Sequence, residues 1–378
     1  MAKRILIVAG EASGDLHGSR LVKELKGLRP DLEFFGIGGD RMRGEGVELL
    51  VHADRLAFLG VAEVIRHLPF VLRVLRLLTR ALEQRRPDLA ILIDYPGFNL
   101  RFAARAKARG VPVFYYIAPQ VWAWGKGRTA KLARRVDRMA VILPFEERIF
   151  REAGIDAYFV GHPIVEAVGD ETPRDSFRKS LGVDEHGILL GLFPGSRRQE
   201  IERHLPEMCR LVALWQADEP GLVGAVSKAA SVPEDVYRRA LGKAREVRIA
   251  LTDRHYALMH HADVLVVASG TATLEAACFG TPYVIVYRVS PLTYFLGRRL
   301  VTVPYLGLVN VVAGRRVVPE FLQNDFRAEK LRKALQTLLS DLELRRQMQA
   351  NLEEVRRRLG PPGAARRTAE LVLELLDK

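Results

Sequence analysis

The stretch LAILIDYPGFNL, residues 89–100, is an apolar run that ends in a carboxylate, Asp94, and then breaks at Tyr-Pro-Gly. Such a run reads as a strand buried in an open α/β sheet, and ligands bind beyond the carboxyl ends of those strands. Asp94 therefore stands where a side chain serves either as a general base or as a helix cap. Two other strand-to-helix junctions carry anion-binding chemistry. In LFPGSRRQEI, residues 192–201, Gly195, Ser196, Arg197 and Arg198 lie where a strand passes into a helix. A helix N-terminus presents free N–H groups and partial positive charge to a phosphate, and arginine adds charge-assisted donors. A plain cap by Ser196 with two solvated arginines is the alternative. In ASGTATLEAACFG, residues 268–280, the junction recurs as Ser269, Gly270 and Thr271, with Glu275 placed to accept hydrogen bonds from a ribose diol. A capping box is the competing reading there, but its spacing is off by one. Two such junctions in one region point to a nucleotide diphosphate. Neither has the Gly-x4-Gly-Lys-Ser/Thr spacing, so ATP hydrolysis is not indicated. A further junction, GEASGDLHG at 10–18, offers Glu11, Ser13 and Asp15, of which Ser13 or Asp15 serves equally well as a cap. His17, one turn on, reads more readily as structural than as a base.

These residues need strands and helices to position them. Near-continuous apolar runs occur at 4–10, 32–39, 88–94, 111–118, 138–143 and 157–162, with amphipathic stretches between. The pattern suits parallel strands covered on both faces, hence βαβ units in a doubly wound α/β sheet. The rhythm breaks in the more polar PIVEAVGDETPRDSFRKSLGVDEHG, read as a linker. A second series follows at 188–196, 221–227, 247–252, 263–270 and 283–288. The expected organisation is a first domain over 1–168 and a second over 182–341. Helices from about 342 to 378 are expected to return to the first.

The segment 57–82, AFLGVAEVIRHLPFVLRVLRLLTRAL, combines a wide apolar side with Arg66, Arg73, Arg76 and Arg80 at spacings of 7, 3 and 4. Such a helix lies in a membrane interface or lines an acyl-chain groove, unless its arginines simply face water around a core helix. Pro69 is expected to divide a short helix from a longer one. The net charge of +13 calls for an anionic partner without choosing between nucleic acid, a phosphorylated substrate and an acidic membrane. The arginines are dispersed and form no aromatic-basic array, which speaks against nucleic acid. The two cysteines, Cys209 and Cys278, have no metal-ligand spacing and fit a reducing compartment. The N-terminus has no signal-peptide pattern, and no run reaches a membrane span.

GEASGD, IDYPGFN, APQVWAWGKGR, LPFE, VGHP, PGSR, ASGTATLE and PYLGLVN occur in that order over nearly the whole chain. The ordered set closely resembles the lipid-A-disaccharide synthase family. The resemblance implies the GT-B type, two Rossmann-like doubly wound domains facing a cleft. It implies an inverting glycosyltransferase that moves 2,3-diacylglucosamine from its UDP derivative to the 6-hydroxyl of 2,3-diacylglucosamine 1-phosphate (lipid X). The products would be a β-1,6 disaccharide 1-phosphate and UDP, formed without metal or other cofactor. Carried over by position, Asp94 becomes the base and Arg197 the arginine at the donor phosphates. Gly195, Ser196, Ser269, Gly270, Thr271 and Glu275 fall in the nucleotide-binding loops, and Asn310 matches an asparagine important for activity. Glu11, Ser13 and Asp15, which the first strand-to-helix turn sets at the cleft edge, are expected on the acceptor side. Tyr95-Pro96-Gly97 departs from the smaller residue and acid of the family pattern. The resemblance also implies a cytoplasmic protein held peripherally at the inner membrane; the chain is expected as a monomer or a homodimer, and its helical tail permits an exchange of parts. A UDP-N-acetylglucosamine 2-epimerase or an N-acetylglucosaminyltransferase on the same scaffold is the alternative enzyme.

Overall fold

A computed structural model describes residues 2–56, 67–124, 126–242, 247–290, 294 and 304–378. It divides the chain into two compact units: Met1–Pro163 with Leu359–Lys378, and Ile164–Arg358.

The first unit is built on a seven-stranded sheet of β1 (Arg4–Ala9), β2 (Glu33–Gly38), β3 (Glu48–His52), β4 (Leu89–Ile93), β5 (Val113–Tyr116), β6 (Arg138–Val141) and β7 (Asp156–Phe159). Their order is β3-β2-β1-β4-β5-β6-β7, and every pairing is parallel. The apolar continuity of β1 follows from burial on both faces. Leu6 and Val8 join one core cluster, while Ile5, Ile7 and Ala9 join the other. Successive side chains point to opposite faces of a strand, so both faces must be apolar where helices cover both. The helix Leu68–Arg85 supplies Val71, Val74, Leu75 and Leu78 to the first cluster, and the C-terminal helix Ala364–Leu376 supplies Ala369, Val372 and Leu376 to the second.

The second unit repeats the plan with β8 (Leu189–Phe193), β9 (Val223–Ser227), β10 (Ile249–Thr252), β11 (Val264–Ala268), β12 (Tyr283–Tyr287) and β13 (Glu320–Leu322), in the order β10-β9-β8-β11-β12-β13. In each sheet the direction of winding reverses once, between β1 and β4 and between β8 and β11. Registers Ala9↔Ile93 and Phe193↔Val267 set the carboxyl ends of those strand pairs side by side. These are topological switch points, where open α/β sheets bind ligands.

Three details differ from the sequence reading. The edge strands β3 and β13 were not foreseen; both are only partly buried, so their sequences lack the apolar continuity of the central strands. The stretch read as a linker belongs to the second unit, because Phe177 is fully buried and the buried Arg178 binds His261 O, Asp263 Oδ2 and Gly187 O. The helix Leu342–Arg358 also stays with the second unit, and the chain crosses back only at Leu359. Pro69 is the second residue of the helix Leu68–Arg85, where it costs no hydrogen bond, and the short helix expected before it falls outside the described residues. Residues 57–66, including Arg66, lie outside the described residues.

Candidate active site

At the switch point of the first sheet, β4 ends and the chain turns through two consecutive left-handed residues, Asp94 (φ 44°) and Tyr95 (φ 47°), before the helix Pro96–Lys107. Two adjacent non-glycine residues in this region are strained and persist only when their surroundings fix them. Here Asn99 Nδ2 donates to Ile93 O (3.1 Å) and Asp94 O (2.7 Å), and Tyr115 Oη donates to Asp94 O (2.6 Å). Tyr95 Oη donates to Leu56 O at 2.9 Å, and its ring covers Gly10 so closely that a Cβ there would lie 2.4 Å away. The backbone of Asp94 is thus clamped while its carboxylate stays clear of ion pairs among the described residues. Burial raises its pKa to about 6, and the nearby Glu11 charge adds to the rise.

A second acid lies close by. Glu146 is 1% exposed, accepts from Trp122 Nε1 (2.9 Å) and from Leu143 N–H (3.1 Å), and is pushed up to about 7 by burial, with Asp94 contributing. His162, buried beside His17, is lowered to about 3, chiefly by desolvation. His17 also packs edge-on to Tyr116. Glu11 and Ser13 are exposed at this edge. Asp15 is a correction: it is 6% exposed and its carboxylate accepts from Gly39 N–H (2.7 Å), Met42 N–H (3.1 Å) and Arg41 N–H (3.2 Å). It anchors the turn after β2 and has no free face for an acceptor.

The switch point of the second sheet opens into a pocket of about 570 Å³ lined by Gly195, Ser196, Arg197, Ser269, Gly270, Thr271 and Glu275, so both predicted loops meet there. The pocket also takes in Glu200, Ser227, Lys228, Asp253 and His255, which the sequence reading missed. Gly195 sits at φ 119°, and a Cβ on it would meet Glu200 Oε2 at 2.4 Å. That oxygen accepts from Ser196 N–H (3.1 Å) and Arg197 N–H (3.3 Å). The helix begins at Arg198, and Glu200 in its first turn reaches back to these two N–H groups just before it. The Arg197 side chain remains 65% exposed. Glu275 is oriented by a relay: Ser227 Oγ to His255 Nδ1 (2.9 Å), then His255 Nε2 to Glu275 Oε2 (2.9 Å).

Asn310 is a second correction. It is fully buried, with Nδ2 on Val318 O and Glu320 Oε1 (2.8 Å each) and Oδ1 accepting from Val317 N–H (2.8 Å) and Val318 N–H (2.9 Å). All its capacity is used inside the fold, so it cannot touch a substrate. Its partner Glu320 accepts from Leu306 N–H and Gly307 N–H, and Leu306 O accepts from Ser269 Oγ. Asn310 therefore positions the loop that braces Ser269.

A family model described as Lipid-A-disaccharide synthetase matches residues 5–374. The lipid-A-disaccharide synthase of Myxococcus xanthus (strain DK1622) is 45% identical over 373 residues, 99% of this chain and 97% of that one. Among solved structures, the UDP-GlcNAc 2-epimerase from Neisseria meningitidis bound to UDP-GlcNAc aligns with a TM-score of 0.68 at 11% identity, covering 98% of this chain and all of the other. The calicheamicin glycosyltransferase CalG4 aligns with a TM-score of 0.61 at 16% identity, covering all of this chain and 99% of the other. At such identities the structural likeness fixes the GT-B architecture alone, which is shared by epimerases and transferases. The sequence relationship decides between them: the chain belongs to the lipid-A-disaccharide synthase family of glycosyltransferases.

Proposed function

We propose that the protein transfers 2,3-diacylglucosamine from its UDP derivative to the 6-hydroxyl of 2,3-diacylglucosamine 1-phosphate, with inversion, giving the β-1,6-linked disaccharide 1-phosphate and UDP. End-to-end membership of the family carries this reading. Asp94 takes the proton of the acceptor hydroxyl as its oxygen bonds to the donor's anomeric carbon. The bond from that carbon to the UDP oxygen breaks, and UDP leaves with the electron pair. A sugar hydroxyl is a poor nucleophile until deprotonated, and a positioned base contributes roughly 10²–10⁴-fold. A carboxylate with a pKa of about 6 is ionised at neutral pH yet basic enough for the task.

In this reading the second unit holds the nucleotide. Arg197 and the helix start after Gly270 and Thr271 face the diphosphate and stabilise the charge that develops on leaving. Glu275, held by His255, accepts from the ribose. Glu11 and Ser13 border the acceptor. The helix Leu68–Arg85 seats the enzyme on an anionic membrane surface; among the described residues, no helix is long and apolar enough to cross one.

The test incubates both lipid substrates with the protein and with Asp94→Asn. Mass spectrometry should find the tetraacyl disaccharide 1-phosphate only with the unsubstituted chain, while calorimetry finds UDP binding nearly equal in both. Turnover by Asp94→Asn at a near-normal rate would remove the base assignment. Product from lipid-free UDP-N-acetylglucosamine alone would favour the epimerase-like alternative.

A further inference from the structure

Away from the pocket, Asp170, His260 and His261 bring three metal-type donor atoms within 4.8 Å of one another. Asp170 Oδ2 lies 2.9 Å from His261 Nε2 and 3.6 Å from His260 Nδ1. The Asp170 side chain is 8% exposed, and its buried Oδ2 makes no well-aligned hydrogen bond, its nearest donor being His261 Nε2, while Oδ1 takes the Thr172 N–H at 3.1 Å. His261 Nε2 is in turn only 2.7 Å from Thr172 O. One ring nitrogen carries at most one proton, yet two oxygens converge on it, and the His260 ring stacks on that of His261 with centroids 4.4 Å apart. A cation resolves that convergence. Ligand atoms bound to a tetrahedral zinc at about 2.0–2.2 Å stand about 3.3–3.6 Å apart, which small side-chain rotations reach from the distances here. Both histidines close the helix His255–His261, whose C-terminal end favours positive charge.

We propose that Asp170, His260 and His261 form a site for a borderline divalent metal ion of the zinc type. Two imidazoles and one carboxylate suit zinc or cobalt better than calcium or magnesium, which prefer all-oxygen sets. Thr172 O or water completes the coordination. The metal fastens residues 170–172, near the start of the second unit, to the helix whose first residue, His255, holds Glu275 in the pocket. Its role is structural and separate from the transfer chemistry.

Calorimetric titration of the chelator-treated, full-length protein with Zn²⁺ tests this. One equivalent should bind and raise the melting temperature, and Co²⁺ should give the visible absorption of a low-symmetry nitrogen–oxygen site. His260→Ala removes an exposed ligand and Asp170→Asn keeps the shape of the other; each should weaken binding at least about tenfold. His186→Ala, at an exposed histidine elsewhere, should change nothing. Circular dichroism of each metal-free variant separates lost ligation from lost fold. Equal zinc affinity in His260→Ala, Asp170→Asn and the unsubstituted chain, or no uptake by the latter, overturns the proposal and leaves a hydrogen-bonded cluster.

Discussion

Asp94 has its carboxyl held at about 6, first by burial and then by Glu11. Because the pKa is raised, the basic form is lost as pH falls through about 6. The expected kcat/KM is flat above that value and drops about tenfold per pH unit below it. Glu146, near 7 and coupled to Asp94, ionises in the same range, so the limb belongs to the pair. Glu11→Gln removes a negative charge that opposes ionisation of Asp94, and the acid limb should move to lower pH. A limb that stays put would show that Glu11 does not act on the base. Asn99 and Tyr115 provide a second check, because they bind the carbonyl of Asp94 rather than its carboxylate. Tyr115→Phe and Asn99→Ala free a strained backbone, and misplacement by about 1 Å can cost on the order of 100-fold in rate. Both should lower kcat with little change in UDP affinity, read by steady-state kinetics and calorimetry. The carboxylate at a strand end was legible from the sequence because an apolar run followed by Tyr-Pro-Gly announces its own boundary. Asp15 and Asn310 were misread because residue type does not reveal partners: Asp15 binds backbone N–H groups more than 20 residues away, and Asn310 binds backbone groups and the Glu320 carboxylate that the fold brings to it. His255 was missed because it gains meaning only through Ser227 and Glu275, each at least 20 residues away in the chain, whereas Glu200 had a local signal, its partners being the N–H groups three and four residues before it.

We propose that the helix Leu68–Arg85 has a second function beyond packing, at a membrane surface. Val71, Val74, Leu75, Leu78, Ala81 and Leu82 are buried against the sheet. The outer side keeps Leu68 (41%), Leu72 (39%) and Leu77 (42%) exposed among Arg73, Arg76 and Arg80, which are exposed as well. Water-facing helices normally spend that surface on polar groups, so leucine beside arginine fits an interfacial position: apolar side chains enter the acyl boundary while guanidinium groups meet lipid phosphates. Each cation near an anionic surface contributes about 1 kcal/mol and is screened by salt. Full burial of one leucine contributes about 1.5–3 kcal/mol. Leu72→Ser with Leu77→Ser should therefore reduce recovery with acidic vesicles in flotation by tenfold or more, and high salt should reduce it in the unsubstituted chain. Unchanged flotation of the double variant would assign binding to another surface. The apolar-basic pattern was readable from spacing, yet spacing alone did not separate the leucines facing the sheet from those facing out. The edge strands β3 and β13 escaped notice for a related reason, as half-exposed short strands lack the continuous apolar run that marked their neighbours.

At the scale of the whole chain, each unit has its own sheet and core, and the polypeptide returns to the first unit only for its last helix. That return was expected from the sequence, but the helix Leu342–Arg358 was grouped with it because amphipathic periodicity does not name the surface a helix will cover. The helix Ala364–Leu376 buries Ala369, Val372 and Leu376 in the core beneath β1. It also supplies Glu374 Oε2 (2.8 Å) and Leu371 O (3.2 Å) to Arg138, which is 3% exposed, while Asp377 pairs with Arg29 at 2.9 and 2.8 Å. Deleting residues 360–378 uncovers apolar surface worth about 5 kcal/mol at 1.5–3 kcal/mol per large aliphatic side chain, and it takes the Glu374 carboxylate away from a buried guanidinium. A domain is stable by only about 5–15 kcal/mol, so this loss is comparable to the whole stability of the first unit. Differential scanning calorimetry should then show two transitions in the truncated chain, one lowered strongly and one near its original temperature. Adding UDP identifies the second unit, because a ligand raises the transition only of the part that binds it. If the truncated chain melts in one lowered transition that UDP shifts as a whole, the units are energetically coupled and the C-terminal helix supports both.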